Sequence, residues 1–275
     1  MKRYRVISSD FDTRAHFLSM EIKESWETKN KELHKANRER ILTQLRDEFG
    51  TLHFDQKVKN FIDFGPYSMS VIAYHNKFFH HIRTSYVMGA YYTALTGVSS
   101  LGERILNHLI LNLRTYHTSS PEYKRVYKKS SFDNWDLAIE VLTNWNVLLP
   151  EVTSLFKRLK VVRNKAIHFN PETDHNDKDL AFEAIKLLKE IIELQFCGFG
   201  NRPWFITNIP GEIYLKKEWE EKPFIKEVYL KNCLLVGPKH EVKSVIPFQI
   251  EDYEYLEKDI SDEEFAALRI EKHGK

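Results

Sequence analysis

The sequence predicts a mainly α-helical bundle with long N-terminal helices and a small β-rich region at the C-terminal end. Apolar residues recur at helical spacing over most of the first 198 residues. Beyond Gly198, prolines and glycines separate short runs rich in Val, Ile, Tyr and Phe, a pattern typical of β-hairpins. At 275 residues the chain is long enough to bury a stable core without disulfides, and its two cysteines form no disulfide framework.

We expect three regions: an N-terminal helical extension over residues 1–67, a helical bundle over 68–198 and a β-rich region over 199–275. The chain does not open with a signal-peptide pattern, and no apolar run reaches membrane-spanning length. With only two cysteines, this predicts a cytoplasmic protein that does not bind membranes. The net charge of +2 does not by itself indicate a nucleic-acid partner.

A single long helix, Arg14–Phe49, is expected after a short strand near the start of the chain. It contains neither Gly nor Pro, and its apolar residues step by about four. Asp12 or Thr13 can cap it, and Gly50 can end it. Its middle, Glu27–Arg40, is nearly all polar. We therefore expect either a solvated connecting helix or an arm that contacts RNA or a second subunit.

Five helices are expected in the bundle. The first, Ser68–Leu95, is apolar nearly all round, which is typical of a helix buried at the centre. Thr96–Val98 is expected to break it, and Ser100 with Glu103 forms a capping-box pattern at the start of the second helix, Leu101–Tyr116. The other three are expected at Asp133–Trp145, Pro150–Asn170 and Lys178–Cys197.

Three histidines of the first bundle helix, His75, His80 and His81, raise the question of a metal site. No Cys, Asp or Glu stands near them at ligand spacing. We interpret them as core or interface residues and predict neither a metal nor another cofactor.

Short strands and one last helical segment are expected after residue 198. The segment Asp262–Ile270 is expected to form a helical turn or two. The strands are expected at residues 212–215, 224–230, 232–236 and 242–250.

The helix from Pro150 to Asn170 carries the most informative residues. At about 100° per residue, Arg163 falls inside the apolar stripe of this helix, close in angle to Leu159. Arginine stays charged in proteins, and burying it unpaired is costly. We therefore expect a partner subunit, a carboxylate or a phosphate beside it. Asn164 and His168 are four residues apart, so they share one helical face.

The hexapeptide from Arg163 to His168, Arg-Asn-Lys-Ala-Ile-His, resembles the Arg-polar-x3-His signature of the HEPN superfamily. Many members of this family of small helical domains are metal-independent ribonucleases of toxin–antitoxin, abortive-infection and other anti-phage systems. The resemblance covers roughly residues 85–197 and includes a long amphipathic helix and an upstream helical hairpin. It implies a HEPN-type bundle and a homodimer in which two copies of the motif share one cleft, with an antitoxin or defence-system protein as a further partner.

The chemistry of the motif residues agrees with this implied activity. Histidine titrates near neutrality, so His168 is the natural acid or base. Arg163 can stabilise charge on the phosphate oxygens, and Asn164 can orient His168 or bind the phosphate. The resemblance also implies supporting residues on the preceding long helix, where Glu103 and Asn107 are candidates. Some family members carry a tyrosine two residues after the histidine, which a nucleotidyltransferase modifies; this chain has an asparagine there.

Two groups of basic residues are expected to bind RNA through its phosphates. One lies on the motif helix, and the other is interleaved with two tyrosines that can stack on bases. Solvated surface charge is the alternative for both groups. The predicted RNA-binding residues are Lys157, Lys160 and Lys165, and Lys124, Arg125 and Lys128.

A non-catalytic interaction or sensor module is the main alternative to the ribonuclease. It predicts that Arg163 pairs with a carboxylate, such as that of Glu103, and that Arg163→Ala unfolds the protein or splits the dimer. Phosphate-binding glycine motifs, H-E-x-x-H and C-x-x-C are absent from the sequence, so those classes of nucleotide-binding or zinc enzyme are not indicated. A DNA-binding regulator is a weaker option because no basic recognition-helix pattern is present.

Overall fold

The computed structural model describes residues 1–167, 173–245, 247–255 and 258–273. Within these ranges the chain forms ten α-helices and three two-stranded antiparallel sheets. The helices are α1 (Arg14–Ser19), α2 (Thr28–Phe49), α3 (Phe54–Phe64), α4 (Asn76–Val87), α5 (Tyr91–Leu113), α6 (Tyr123–Val126), α7 (Trp135–Asn144), α8 (Pro150–Ile167), α9 (Thr173–Gln195) and α10 (Asp262–His273). The strands are β1 (Arg3–Val6), β2 (Ser9–Asp12), β3 (Tyr67–Val71), β4 (Cys233–Val236), β5 (Glu241–Val245) and β6 (Phe248–Glu251).

Helix α5 lies at the centre of the fold and packs against α4, α7, α8 and α9. Eleven of its residues are buried, from Ala94 to Leu113. The nine apolar ones other than Gly102 belong to one large cluster that also contains the inward faces of α8 and α9. The prediction of a mainly helical fold with small sheets is confirmed. None of the helices in the described ranges is long and apolar enough to cross a membrane.

The prediction of one helix over Arg14–Phe49 is wrong. Helix α1 ends at Ser19, the backbone is extended at Met20 with ψ 128°, and α2 begins only at Thr28. The break lets Leu18 pack in one small cluster with Ile41 and other residues of α2. In an unbroken helix these two residues would stand about 35 Å apart, because each residue adds about 1.5 Å. Burial of Leu18 therefore accounts for the turn.

The expected helix over Ser68–Leu95 is also wrong, as is its break at Thr96–Val98. Residues Tyr67–Val71 form strand β3. Helix α4 ends at Val87, shortly before Gly89, whose φ is +82°. Helix α5 then continues through Gly97, where an added Cβ would lie 2.9 Å from Ile82 of α4. This glycine allows close packing of two helices and does not end one. Consequently the capping-box pattern lies inside α5, not at a helix start.

The motif helix and its neighbours agree better with expectation. Helix α8 begins at Pro150, as predicted, and is described as far as Ile167; its expected end at Asn170 lies outside the described residues. The cap of α7 is Asn134, whose side chain accepts a hydrogen bond from the Leu137 amide, so the helix starts later than predicted. Helix α9 starts earlier than predicted and is kinked at Asn176.

The region after residue 198 contains fewer strands than expected. The strand expected over residues 242–250 is replaced by two strands, β5 and β6, which pair as a hairpin, and α10 covers the expected helical segment. Residues 225–232 are helical, however, and residues 212–215 form only isolated bridges. Strand β4 pairs with β1 from the N-terminus, and Arg3 Nε donates to Asp262 Oδ1 at 2.6 Å. The three-region division at residues 67 and 198 stays a prediction.

Candidate functional site

Arg163 lies on α8 at the edge of the core, as its position in the apolar stripe predicts. Its side chain is 18% exposed, and its guanidinium carbon stands 5.9 Å from the ring centroid of Trp135 on α7. That indole in turn packs edge-on against Phe156, one of the fully buried residues of α8. The guanidinium is therefore partly desolvated on an aromatic surface, where its charge acts more strongly than in water.

The carboxylate expected beside Arg163 is that of Glu103 on α5. Arg163 Nη2 stands 3.4 Å from Glu103 Oε2, and Nη1 donates to Asn164 Oδ1 at 3.2 Å. The buried Nε has no hydrogen-bond partner among the described residues. Both hydrogen bonds are longer than a strong charge-assisted bond of about 2.7–2.9 Å. Arg163 is thus held in place while donors remain for an incoming anion.

Trp135 completes this cluster, although the sequence did not single it out. Its indole Nε1 donates to Glu103 Oε2 at 3.3 Å, so the same oxygen faces both the indole and Arg163. Gly102 makes room for the ring, since an added Cβ there would lie 2.5 Å from Trp135 Cη2. A buried indole N–H requires an acceptor. The sequence could indicate that requirement, but not an acceptor 32 residues away.

Asn107 lies one turn after Glu103 on α5 and anchors the segment that leads into α7. Its Nδ2 donates to the carbonyls of Glu103 and Phe132, both at 2.8 Å, and its Oδ1 accepts from the Phe132 amide at 2.7 Å. These bonds hold the backbone next to Trp135. The expected supporting role of Asn107 in catalysis stays a prediction.

The predicted RNA-binding residues of α8 differ in their surroundings. Lys157 and Lys165 are exposed on the outer face of the helix, next to exposed Val161. Lys160 Nζ instead contacts both carboxylate oxygens of Asp136, at 2.6 and 2.7 Å. Exposed ion pairs of this kind contribute only about 0–1 kcal/mol, so Lys160 can exchange its partner for a phosphate at little cost.

The second basic group lies around α6 and is largely exposed. Arg125 forms two hydrogen bonds with Glu140, at 2.6 and 3.1 Å, which raise the pKa of Arg125 and lower that of Glu140. Lys124 is exposed, and Lys128 Nζ stands 5.3 Å from the ring centroid of exposed Tyr127. A cation beside an exposed aromatic ring suits contact with a phosphate and a base.

His168, the predicted acid or base, lies outside the described residues, as does Asn170. The described part of the site therefore consists of Arg163, Asn164, Glu103 and Trp135. In the parts of the chain that the structure describes, no group of three or more His, Cys, Asp or Glu side chains is arranged to hold a metal ion.

Comparisons with known proteins identify no relative: the chain matches no family model, no curated protein and no solved structure.

Proposed function

We propose that this protein is a metal-independent endoribonuclease of the HEPN type, acting as a homodimer in prokaryotic anti-phage defence or a toxin–antitoxin response. The observation that supports the proposal best is the combination of orientation, partial exposure and incomplete hydrogen bonding of the Arg163 guanidinium. Its guanidinium is oriented by Glu103 and Asn164, is partly exposed, and keeps a buried Nε without a partner among the described residues. Buried unpaired donors cost about 1–3 kcal/mol, so each one requires an explanation.

The proposed reaction uses the ribose 2′-hydroxyl as the nucleophile. One copy of His168 takes the 2′-hydroxyl proton, the 2′-oxygen bonds to phosphorus, and the bond from phosphorus to the 5′-oxygen breaks. A second copy of His168 protonates the departing 5′-oxygen. The products are a 2′,3′-cyclic phosphate and a 5′-hydroxyl. Arg163 stabilises the charge that develops on the phosphate oxygens, and exposed Lys157 and Lys165 attract the RNA.

A dimeric interaction or sensor module is the second candidate, and one observation favours it. The contact between Arg163 and Glu103 at 3.4 Å is the ion pair that this alternative predicts. In that case the cluster joins α5, α7 and α8 and performs no chemistry. The two functions differ in what the removal of Arg163 does to the folded dimer.

Cleavage of RNA in the presence of EDTA tests the proposal. We expect Arg163→Ala and His168→Ala to remain folded and dimeric while cleavage falls roughly 10²–10⁴-fold, the usual contribution of acid–base catalysis. Lys222→Ala, an exposed basic residue outside both basic groups, serves as the control and should cleave like the wild type. Cleavage is followed with end-labelled RNA, folding by circular dichroism and dimerisation by light scattering.

Three results would contradict the ribonuclease. Wild-type protein that leaves varied RNAs intact would argue for the interaction module, as would cleavage that persists in His168→Ala. An Arg163→Ala variant that unfolds or becomes monomeric would show that the Glu103 pair is structural.

A further inference from the structure

A second cavity, separate from the Arg163 cluster, opens between the sheet of β2 and β3 and the helix α4. Its volume is about 340 Å³, within the range of about 300–1,000 Å³ that is usual for small-molecule sites. It is lined by Asp10, Phe11, Asp12, Tyr67, Asn76, Lys77, His80, His81 and Arg83.

An irregularity in β2 places three successive residues on this cavity. The register between β2 and β3 shifts between Asp10 and Asp12. In a regular strand Phe11 would point to the opposite face from its two neighbours. Here all three line the same cavity, and the Phe11 side chain is 50% exposed at its rim. Bulges of this kind often redirect a side chain beside a binding site.

Two polar groups in the cavity have unused hydrogen-bonding capacity. Tyr67 is only 4% exposed; its hydroxyl lies beside Asp10 and Asn76 but meets the distance and angle of a hydrogen bond with none of the described residues. The Asp10 carboxylate accepts a hydrogen bond from Asn76 Nδ2 at 3.4 Å and forms no ion pair with any described residue. Burial and the nearby Asp10 charge raise the pKa of Tyr67, so its hydroxyl stays protonated at neutral pH.

Asp12, the other carboxylate of the cavity, is already neutralised. It contacts Arg14 and Arg83, each at 2.7 Å, and Arg83 is itself 4% exposed. This pair is therefore part of the framework. Asp10 remains as the carboxylate of this cavity that has no ion-pair partner among the described residues.

The opposite side of the cavity carries one cation and two imidazoles. Lys77, His80 and His81 project from α4, and all three are exposed. None of them forms a salt bridge within the described ranges. The cavity thus combines an exposed aromatic ring, a carboxylate beside a hydroxyl, and a group that attracts an anion.

We propose that this cavity binds a guanine nucleotide, either free or at the end of an RNA. Phe11 stacks on the base. Asp10 accepts the parallel N1–H and 2-amino donors of guanine, and the buried Tyr67 hydroxyl beside that carboxylate helps to hold it in place. Lys77 and His80 face the phosphate. Adenine presents an acceptor at N1, which Asp10 would repel, so the arrangement selects guanine. This inference does not depend on the proposed ribonuclease.

Calorimetric titration of the full chain with GMP and AMP tests the proposal. We expect GMP to bind at least tenfold more tightly than AMP, the usual effect of opposing two hydrogen-bond acceptors. Asp10→Asn should remove most of this preference, since it replaces one acceptor oxygen by a donor. Tyr67→Phe should weaken GMP binding several-fold. Asp47→Asn, an exposed carboxylate on α2, is the matched control and should bind like the wild type.

Short oligoribonucleotides distinguish the two sources of the nucleotide. An oligomer that ends in guanosine 3′-phosphate should bind more tightly than GMP if the site reads RNA, and no more tightly if it takes the free nucleotide. Absence of saturable binding of both GMP and the guanosine-ended oligomer at millimolar concentration would overturn the proposal. Equal affinity for GMP and AMP, or an unchanged preference in folded Asp10→Asn, would overturn it as well.

Discussion

The Arg163 side chain is held in position although not all of its hydrogen-bond donors have partners among the described residues. Its contact with Glu103 is 3.4 Å long, and the Glu103 side chain is 36% exposed. Solvent screens such a pair, which contributes only about 0–1 kcal/mol to stability. The pair therefore orients the guanidinium more than it stabilises the fold. The position of Arg163 in the apolar stripe of its helix predicts a counter-charge beside it. That counter-charge is the carboxylate of Glu103 on α5.

Gly102 supports the same cluster through the space it leaves. Replacing it with alanine places a Cβ 2.5 Å from the Trp135 ring, inside a closely packed core. We expect Gly102→Ala to lower the free energy of unfolding by about 1–3 kcal/mol, as overpacking usually does. Urea denaturation followed by tryptophan fluorescence measures this loss. Ser100→Ala, exposed on the same helix, should leave the midpoint nearly unchanged; equal midpoints for both variants would show that Trp135 shifts freely.

The turn between α4 and α5 depends on the backbone conformation of one glycine. Gly89 has a φ of +82°, and no atom of the described residues lies within 4 Å of the position that a Cβ would occupy. A side chain added at Gly89 would therefore clash with no neighbour. Only backbone strain would make a substitution there destabilising. Gly97 is the reverse case, because its φ is ordinary and its neighbour Ile82 is close. Gly89 is therefore needed for its backbone conformation, and Gly97 for the space that it leaves to Ile82.

Substitution of Gly89 tests this distinction. Gly89→Ala should cost about 1 kcal/mol, because an L-residue is disfavoured at positive φ. Gly89→Asn should cost less, since asparagine tolerates this region better than alanine. Thermal unfolding of the two variants beside the wild type gives the comparison. If alanine were as stable as asparagine, strain at this turn would not matter.

At the scale of the whole molecule, residues far apart in sequence close the structure. Strand β1 pairs with β4, and Arg3 reaches both Asp262 and the carbonyl of Ile260 on the approach to α10. Arg3 is 1% exposed, so this contact between the two ends of the described chain is buried. Removing one partner of such a pair would leave an uncompensated charge.

Two buried histidines make the stability of the molecule depend on pH. His75 is fully buried against Phe196, and burial lowers its pKa to about 3; burial lowers that of His240 to about 4. Both pKa values lie below the value of about 6.5 in an unfolded chain. Below about pH 6.5 the unfolded state therefore binds more protons, and stability falls as the pH is lowered towards 4.

Urea denaturation between pH 7 and pH 4.5 checks this expectation. Each histidine contributes a slope of at most about 1.4 kcal/mol per pH unit. His75→Gln should be less stable at pH 7, because the hydrogen bond to Ser70 is disturbed, but its stability should depend less on pH. His80→Gln, exposed on α4, should keep the wild-type slope. Parallel slopes for all three proteins would refute the assignment.

The sequence by itself determined the mainly helical class, the start of α8 at Pro150, β structure around residues 242–250 and the need of Arg163 for a counter-charge. These features depend on local periodicity and on the chemistry of single residues, which can be read without knowing what packs where. Only the tertiary structure decided that Glu103 and Trp135 meet Arg163, that β1 pairs with β4, and that α1 turns back on α2. Each of these depends on contacts between distant segments, and local propensity does not specify which segments become neighbours.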